Sequence, residues 1–396
     1  MSSLLFSIIL IISVIPPISP SSSSSSTSPS DIHALSSFLS SIHPSSIPPF
    51  SCLSSWNFSS DPCHPSTPSH FLCALSCSSS SPSRITSISL DPAGYSSSSF
   101  PLSLLSLPSL SLLSLSSNSF SGPLPPSLPS LSSLSILDLS HNSFSGPIPP
   151  SLSSLSSLSS LDLSHNSFSG SIPPSLSSLS SLSLLDLSFN HLSGPLPPSL
   201  PPNLLTLALK ANSLSDPIKS STFRPLTKLE VAELSSNSFT GALGAWFLLL
   251  PSLQQVDLSN NSLTSLEVSA GAGESLVAVD LSYNRIEGGL PVGLAAFPAL
   301  AALSLRHNRL RGGIPAEYYG GKKGTPFRRL FLDGNFLNGR VPAGFLGKGA
   351  GAGEVLTGSF GDNCLASCPA SVGLCSPVQK PASVCKQAYG SGRRGS

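Results

Sequence analysis

Asparagine recurs along this chain with a nearly constant period. Ten asparagines are separated by 24, 24, 24, 22, 25, 24, 23, 24 and 27 residues. Each closes a short phrase with leucines at fixed positions, as in Leu137-Asp-Leu139-Ser-His-Asn142. Such a period restricts the chain to a fold built from one repeated unit. The ten residues are Asn118, Asn142, Asn166, Asn190, Asn212, Asn237, Asn261, Asn284, Asn308 and Asn335.

The phrase Leu-x-x-Leu-x-Leu-x-x-Asn with this period is the signature of a leucine-rich-repeat solenoid. Because side chains alternate along a strand, Leu137 and Leu139 are expected inside, with Asp138 and Ser140 on the concave surface. The Asn142 amide is expected to pair with backbone groups of adjacent coils, which makes the asparagines a structural ladder. We therefore predict an α/β solenoid, a right-handed superhelix with a parallel concave β-sheet, whose stacked units bury one another's leucines.

The amino terminus has the pattern of a secretory signal. An apolar run from Leu4 to Ile15, followed by Pro16 and Pro17, predicts a signal peptide over residues 1–20, although it lacks a preceding Lys or Arg. We expect a serine-rich linker at 21–30 and a disordered tail at 387–396. No later apolar run reaches the 18 or so residues needed to span a membrane. The mature chain is expected to be secreted, into the apoplast or cell wall.

Eight cysteines flank the repeats and none lies within them. A solenoid exposes its core at both ends, and small extracellular caps are commonly stapled by disulfides. We predict an N-terminal cysteine cap at 31–84, about 11 repeats at 85–345 and a C-terminal cap at 346–386. Four cysteines per cap allow three connectivities, and the sequence does not choose among them. The cysteines are Cys52, Cys63, Cys73, Cys77, Cys364, Cys368, Cys375 and Cys385.

The N-terminal cap also has a helical pattern. Apolar residues from Ile32 to Ile42 recur at helical spacing, and Ser30 is a suitable N-cap. The helix is expected to cover the open end of the first coil.

Further motifs resemble plant-type extracellular leucine-rich-repeat proteins, the group of receptor-like proteins, receptor-kinase ectodomains and polygalacturonase inhibitors. The resemblance rests on Ser145-Gly-Pro-Ile-Pro149, which recurs as Ser169-Gly-Ser-Ile-Pro173 and Ser193-Gly-Pro-Leu-Pro197, and on the cap phrase Leu53-Ser-Ser-Trp56-Asn. It implies a second, convex-side strand in each unit, shaped by Gly and Pro. The segment 215–218 and the Asn261 unit depart from the motif, so their coils are expected to bulge or twist differently.

The family's receptor kinases continue into a membrane span and a kinase domain. This sequence has neither, and its C-terminal cysteine cap favours a complete chain. The resemblance implies recognition of an extracellular peptide or protein, with a membrane receptor kinase as co-receptor, in signalling or defence. The alternatives are an inhibitor of secreted cell-wall-degrading enzymes and a pectin-associated cell-wall protein.

Two columns of side chains are expected on the concave surface. The central column, between the inward leucines, includes the carboxylates of Asp138, Asp162 and Asp186. The pre-asparagine column comprises Ser117, His141, His165, Phe189, Ala211, Ser236, Asn260, Tyr283, His307 and Gly334. Exposed rings on a rigid surface are favoured anchors for recognition. The predicted ligand-binding residues are His141, His165, Phe189, Lys210, Tyr283, Arg306, His307, Asp138, Asp162 and Asp186.

Charge is unevenly distributed along the chain. Residues 1–200 hold one Lys or Arg against six Asp or Glu, whereas residues 201–396 hold 18 against 12. The basic excess suits an anionic polymer such as pectin, or an acidic peptide. Nucleic acid is not expected as a partner. The excess gathers at Arg306, Arg309, Arg311, Lys322, Lys323, Arg328, Arg329 and Arg340.

Two N-glycosylation sequons occur, at Asn57 and Asn260, and the second falls on the predicted concave face. Neither an enzyme nor a cofactor is expected. A Ser-His-Asp triad needs a buried acid and an oxyanion hole, which an open strand face does not supply. The cysteine spacing does not match a zinc site.

Overall fold

The computed structural model describes residues 26–64, 73–269, 273–319, 326–346, 356–369 and 371–390, and the predicted signal peptide lies outside them. Within these residues, 13 short strands form the concave sheet. Its strands are parallel except for the first pair, which is antiparallel. They are β1 (Leu75–Cys77), β2 (Ile85–Ser89), β4 (Leu112–Ser114), β6 (Ile136–Asp138), β8 (Ser160–Asp162), β10 (Leu184–Asp186), β12 (Thr206–Ala208), β14 (Val231–Glu233), β16 (Gln255–Asp257), β18 (Ala278–Asp280), β20 (Ala302–Ser304), β22 (Arg329–Phe331) and β24 (Thr357–Ser359).

Each unit adds a second strand on the convex side. Eight of these strands form one sheet and four form another. The predicted plant-type leucine-rich-repeat solenoid is thereby confirmed. The eight are β3 (Ser96–Ser97), β5 (Ser119–Pro123), β7 (Ser143–Pro147), β9 (Ser167–Gly170), β11 (His191–Gly194), β13 (Ser213–Pro217), β15 (Ser238–Leu243) and β17 (Ser262–Leu266), and the four are β19 (Glu287–Gly288), β21 (Arg309–Gly312), β23 (Phe336–Arg340) and β25 (Cys364–Ala366).

The two units that depart from the motif behave differently from each other. In the Asn261 unit, which lacks Gly-x-Ile-Pro, the convex ladder breaks between β17 and β19, as expected. In the 215–218 segment the ladder continues through β13. Asp216 adopts a φ of 71°, close to the 78° of Gly146 in a regular unit. Asp tolerates this left-handed conformation better than most residues, so this coil does not need to bulge.

Short helices complete the coils. The 3-10 helices are Pro44–Ser46, Leu53–Ser55, Leu102–Ser106, Leu128–Ser130, Pro150–Ser154, Pro174–Ser178, Val292–Ala296, Ala316–Tyr318 and Gly373–Cys375, and the α-helices are α1 (Pro29–Ser41), α2 (Ser220–Phe223), α3 (Ala343–Leu346) and α4 (Ala382–Gly390).

The core consists of columns of apolar side chains, most of them leucine. Leu137 and Leu139 have no exposed surface, and their equivalents in the other coils are also buried. A phenylalanine column runs parallel to them, in which the rings of Phe120 and Phe144 stack with centroids 6.3 Å apart. Burying a side chain of this size contributes roughly 1.5–3 kcal/mol. Because every coil covers its neighbour's apolar side chains, the core is continuous along the solenoid.

The asparagine ladder joins consecutive coils. The Nδ2 group of Asn142 donates to the carbonyl of Leu115 in the preceding coil at 2.9 Å and to Leu139 and Ser140 in its own. Its Oδ1 atom accepts from the backbone N–H of Phe120 at 2.9 Å. An eleventh asparagine, Asn363, makes the same set of bonds. The sequence pattern missed it because Gly358-Ser-Phe-Gly-Asp replaces the usual leucines.

The expected orientation of Ser140 is wrong. Ser140 is 6% exposed, and its N–H and hydroxyl both donate to Oδ1 of Asp138, at 3.0 and 2.7 Å. The chain already turns at this position, so strict strand alternation no longer applies.

The N-terminal cap is held by charge as well as by disulfides. Helix α1 begins at Pro29 with Ser28 as its N-cap, two residues before the expected Ser30. Thr27 already bridges Ser83, so residues 26–30 belong to the packed cap and not to a linker. Helix α1 packs against the first coil at Leu102–Ser106. The fully buried Asp31 pairs with Arg84 at 2.8 Å.

Four disulfides staple the two caps. The N-terminal pairs are Cys52–Cys73 and Cys63–Cys77, and the C-terminal pairs are Cys364–Cys385 and Cys368–Cys375. Helix α4 extends to Gly390, and the hydroxyl of Tyr389 donates to the carbonyl of Phe336. Residues 387–390 are therefore helical, where a disordered tail was expected.

Candidate functional site

The pre-asparagine column has an unusual backbone conformation. His141, His165 and Phe189 have φ angles of 52°, 52° and 53°, and Tyr283 and His307 have 55° and 50°. Residues other than glycine rarely adopt this left-handed backbone conformation, which costs roughly 1–2 kcal/mol per residue. The neighbouring asparagine amides hold the turn. As a result the column's side chains project side by side, one from each coil.

Three consecutive rings of this column form a stack. The centroids of His141 and His165 lie 4.0 Å apart with planes inclined by 12°, and those of His165 and Phe189 lie 4.1 Å apart with an angle of 15°. The Lys210 ammonium lies 5.9 Å from the Phe189 centroid. We call these three rings the N-terminal stack.

Stacking alters the acid–base chemistry of His165. Burial and the nearby charge of His141 lower the pKa of His165, and the carboxylates of Asp186 and Asp162 only partly oppose them. The middle ring of the stack is therefore biased towards its neutral form.

The carboxylates of the central column also support the turns. Oδ1 of Asp138, Asp162 and Asp186 accepts the backbone N–H two residues ahead, at 3.0, 2.9 and 2.8 Å. Burial, together with the negative charges of Asp186 and Asp138, raises the pKa of Asp162. These three residues therefore lie on the same coils as the N-terminal stack and act there as turn supports.

A second stack lies closer to the carboxyl terminus. The Tyr283 and His307 centroids are 4.5 Å apart. Arg306 pairs with Asp333 at 2.9 Å and places its guanidinium 5.0 Å from the Phe331 centroid. We call Tyr283 and His307 the C-terminal stack.

The predicted ligand-binding residues thus form two groups and not one surface. Three small polar or apolar side chains, Ala211, Ser236 and Asn260, separate Phe189 from Tyr283 in the column. We call this interval the gap. Lys210, Asp138, Asp162 and Asp186 belong to the group around the N-terminal stack, and Arg306 belongs to the group around the C-terminal stack.

A pocket of about 490 Å³ opens on the concave sheet from β14 to β22. Ala278 and Ala302 form a low floor, because neighbouring coils carry longer side chains at the same strand position. Tyr283 and Arg306 line the pocket. Its acidic residues are Glu233, Asp257 and Asp280, and Arg329 and Phe331 lie at the opposite end.

Sequence reasoning selected Tyr283 and Arg306 from this pocket as ligand-binding residues and placed Arg329 in the basic excess. The first exposed strand position, which carries Val231, Gln255, Ala278, Ala302 and Arg329, was not considered as a column. Two adjacent alanines in that column were the signal that would have revealed a depression.

The predicted basic cluster does not form one surface. Arg306 and Arg329 face the concave side, whereas Arg309 and Arg311 lie on β21 and Arg340 on β23, in the convex sheet. Arg309 pairs with Glu287 at 3.3 Å. These arginines are close in sequence but lie on two opposite faces of the coil. Lys322 and Lys323 lie outside the described residues.

Comparison with known families agrees with the repeat geometry. Leucine rich repeat family models match residues 133–192 and 251–310, and a second Leucine Rich Repeat model matches residues 109–131. These matches and the second, convex-side strand in the coils show a leucine-rich-repeat solenoid of the plant type.

Curated relatives of this leucine-rich-repeat protein include Receptor-like protein 7 of Arabidopsis thaliana. The two are 37% identical over 92 residues, which are 23% of this chain and 9% of the relative. Receptor like protein 27 of the same plant is 43% identical over 68 residues, 17% of this chain and 8% of the relative. The matches therefore cover less than a tenth of these relatives.

A solved structure of the PEPR1–AtPEP1 complex aligns with a TM-score of 0.65 at 29% identity, over 80% of this chain and 46% of that chain. Among the described residues, none of the helices is both long and apolar enough to cross a membrane.

Proposed function

We propose that this protein binds an extracellular peptide, or an extended protein segment, in the concave pocket and acts with a membrane receptor kinase in signalling or defence. The pocket over β14–β22 is the observation that carries the proposal. It combines a low floor, exposed rings and charges of both signs on one rigid sheet.

The size of the pocket suits a short peptide. Five adjacent strands, at about 4.8 Å each, span about 19 Å, which an extended chain covers with about six residues. A ligand that crosses the strands would contact each coil through its exposed side chains. Because the coils form one continuous core, the site is preorganised and little entropy is lost on ordering it.

The charges of the pocket define an orientation for the ligand. Glu233, Asp257 and Asp280 favour a basic segment, whereas Arg329 at the other end favours an acidic one. Arg306 is already paired with Asp333, so Arg329 is the cation more available to the ligand. We expect a peptide of mixed charge, basic where it passes β14–β18.

Solved relatives support a peptide ligand. The Arabidopsis receptor kinase HAESA, whose ectodomain was solved with an N-terminally extended IDA peptide hormone ligand, aligns at 28% identity with a TM-score of 0.55, over 85% of this chain and 61% of that chain.

The test compares two matched substitutions. Peptides retained by the immobilised full chain from secreted fluid would be identified, synthesised and measured by calorimetry. Ala302→Tyr fills the pocket floor, and Ser160→Tyr introduces the same side chain at the equivalent position of β8, outside the pocket. We expect Ala302→Tyr to weaken binding by about 100-fold, close to 2.7 kcal/mol, and Ser160→Tyr to leave it unchanged. The reverse pattern would place the ligand on the N-terminal coils.

Inhibition of a secreted polygalacturonase is the competing outcome. Nanomolar inhibition that survives Ala302→Tyr would replace the peptide proposal with an inhibitor function. Pectin retention has less support, because the described basic residues lie on both faces of the solenoid.

A further inference from the structure

We propose that Asn260 carries an N-linked glycan whose first sugars fill the gap between the N-terminal and C-terminal stacks. Asn260-Asn-Ser262 is one of two sequons in the chain. The inference concerns a modification of the protein itself, so it does not depend on the peptide ligand.

The position of the Asn260 side chain permits the attachment. Asn260 is exposed, and within the described part of the chain its Nδ2 atom makes one hydrogen bond, to Oγ of Ser236 at 3.3 Å. The adjacent Asn261 is buried, and its amide donates to three carbonyls, of Leu234, Leu258 and Ser259. The sequon therefore falls on the one asparagine of this pair that is not committed to the ladder.

The geometry also gives the glycan a direction. The Nδ2 atom points towards Ser236, and Ala211 follows Ser236 in the column, so the pre-asparagine column carries no large side chain over these coils. Exposed rings border the gap on both sides, with Phe189 40% and Tyr283 52% exposed. The apolar C–H face of a sugar packs well against such a ring, and its hydroxyls stay hydrated.

The reaction is ordinary amide glycosylation. The Nδ2 atom attacks the anomeric carbon of a lipid-linked oligosaccharide diphosphate, the bond from that carbon to the diphosphate oxygen breaks, and Nδ2 loses a proton to solvent. No electrons are gained or lost. The product is a bulky, neutral group on the surface of an exported protein.

A glycan in the gap would divide the concave face. The N-terminal stack would lie on one side of the glycan and the C-terminal stack on the other, so one rigid ligand could not contact both stacks. Because Ser236 and Asn260 follow β14 and β16, the sugars would also lie beside the acidic end of the pocket.

The experiment uses the full chain secreted from a plant host. Ser262→Ala removes the sequon but keeps Asn260 and the ladder, and Ser59→Ala removes the Asn57 sequon as a matched control. Peptide mapping after enzymatic deglycosylation in heavy-oxygen water should show Asn260 occupied in wild type and in Ser59→Ala, with complete loss in Ser262→Ala. A secreted protein with unmodified Asn260 overturns the proposal.

Hydroxyl-radical footprinting then locates the sugars. Labelling of Tyr283 and Phe189 should rise in Ser262→Ala relative to wild type, and should not change in Ser59→Ala. Equal labelling in all three proteins would show that the glycan lies away from the gap. Should Ser262→Ala fail to be secreted, native enzymatic deglycosylation of wild type provides the same comparison.

Discussion

A Cβ atom added to Gly334 would lie 2.4 Å from Nδ1 of His307, so the His307 ring occupies the space that a larger residue would need. Gly334 has a φ of 73° and is the glycine of the pre-asparagine column. It therefore allows His307 to lie flat against the coil, where it stacks on Tyr283 and approaches Asp333 at 3.8 Å.

Gly334→Ala is expected to displace His307 and to break the C-terminal stack. The steric clash adds to the strain of a positive φ, and together they should cost about 2–3 kcal/mol. Thermal unfolding and the NMR signals of the His307 ring would measure both effects. Gly339→Ala is the control, because φ is 78° there and no atom lies within 4 Å. Similar losses in the two variants would contradict a specific role for the His307 contact.

Asn166→Ala is expected to be strongly destabilising. It removes the acceptor for the N–H of Phe144 and the donor to the carbonyls of Leu139, Leu163 and Ser164. Leaving such buried groups unpaired should cost about 3 kcal/mol or more in urea unfolding. Asn203→Ala removes one exposed bond, to the carbonyl of Ser180, and should cost less than about 1 kcal/mol. Comparable losses of stability in the two variants would show that the hydrogen bonds of the asparagine ladder contribute little to the free energy of unfolding.

Acidification should destabilise the protein through His165. Its pKa in the folded state lies below the unfolded value of 6.5, so the unfolded chain binds more protons in the interval between them. This contribution is fully present above about pH 6.5 and is lost as the pH falls towards the folded pKa. His165→Phe keeps the stack and should flatten this part of the stability profile. An unaltered slope in His165→Phe would refute the assignment.

Asp162→Asn is expected to stabilise the protein at neutral pH. The folded pKa of Asp162 is raised, so the folded state binds more protons and its stability falls as the pH rises from the unfolded value, 3.8, through the folded one. Asn keeps an oxygen for the N–H of Ser164 and removes the charge. We expect a gain of less than about 1 kcal/mol at pH 7 that disappears in acid. A variant that is no more stable than wild type at pH 7 would contradict this prediction.

The fold could be predicted almost completely because contacts in a solenoid are made between neighbouring coils. The period placed Leu137, Leu139 and Asn142, and each later unit repeats the same environment. Where the pattern lapsed, prediction failed, as with Asn363. The pattern also lapses at 215–218, but Asp216 adopts the conformation expected of glycine.

The candidate site was only partly predictable. The pre-asparagine column of the sequence was enough to select His141, His165, Phe189 and Tyr283. Their division into two stacks depends on distances between rings on separate coils. The pocket over Ala278 and Ala302 was missed, because a depression arises from side chains of three or more coils together.

The amino-acid sequence by itself determined the repeat, the register and the two cysteine caps, since these depend on local periodicity and on the need to cover the ends of the core. Only the tertiary structure decided which polar groups are used. Ser135 and Ser159 donate to the carbonyls of Ser111 and Ser135 in the preceding coils, whereas the hydroxyl of Ser143 on β7 has no hydrogen bond within the described part of the chain. Identical side chains acquire different roles because a hydroxyl can bond only where the folded chain brings a carbonyl of the neighbouring coil within reach.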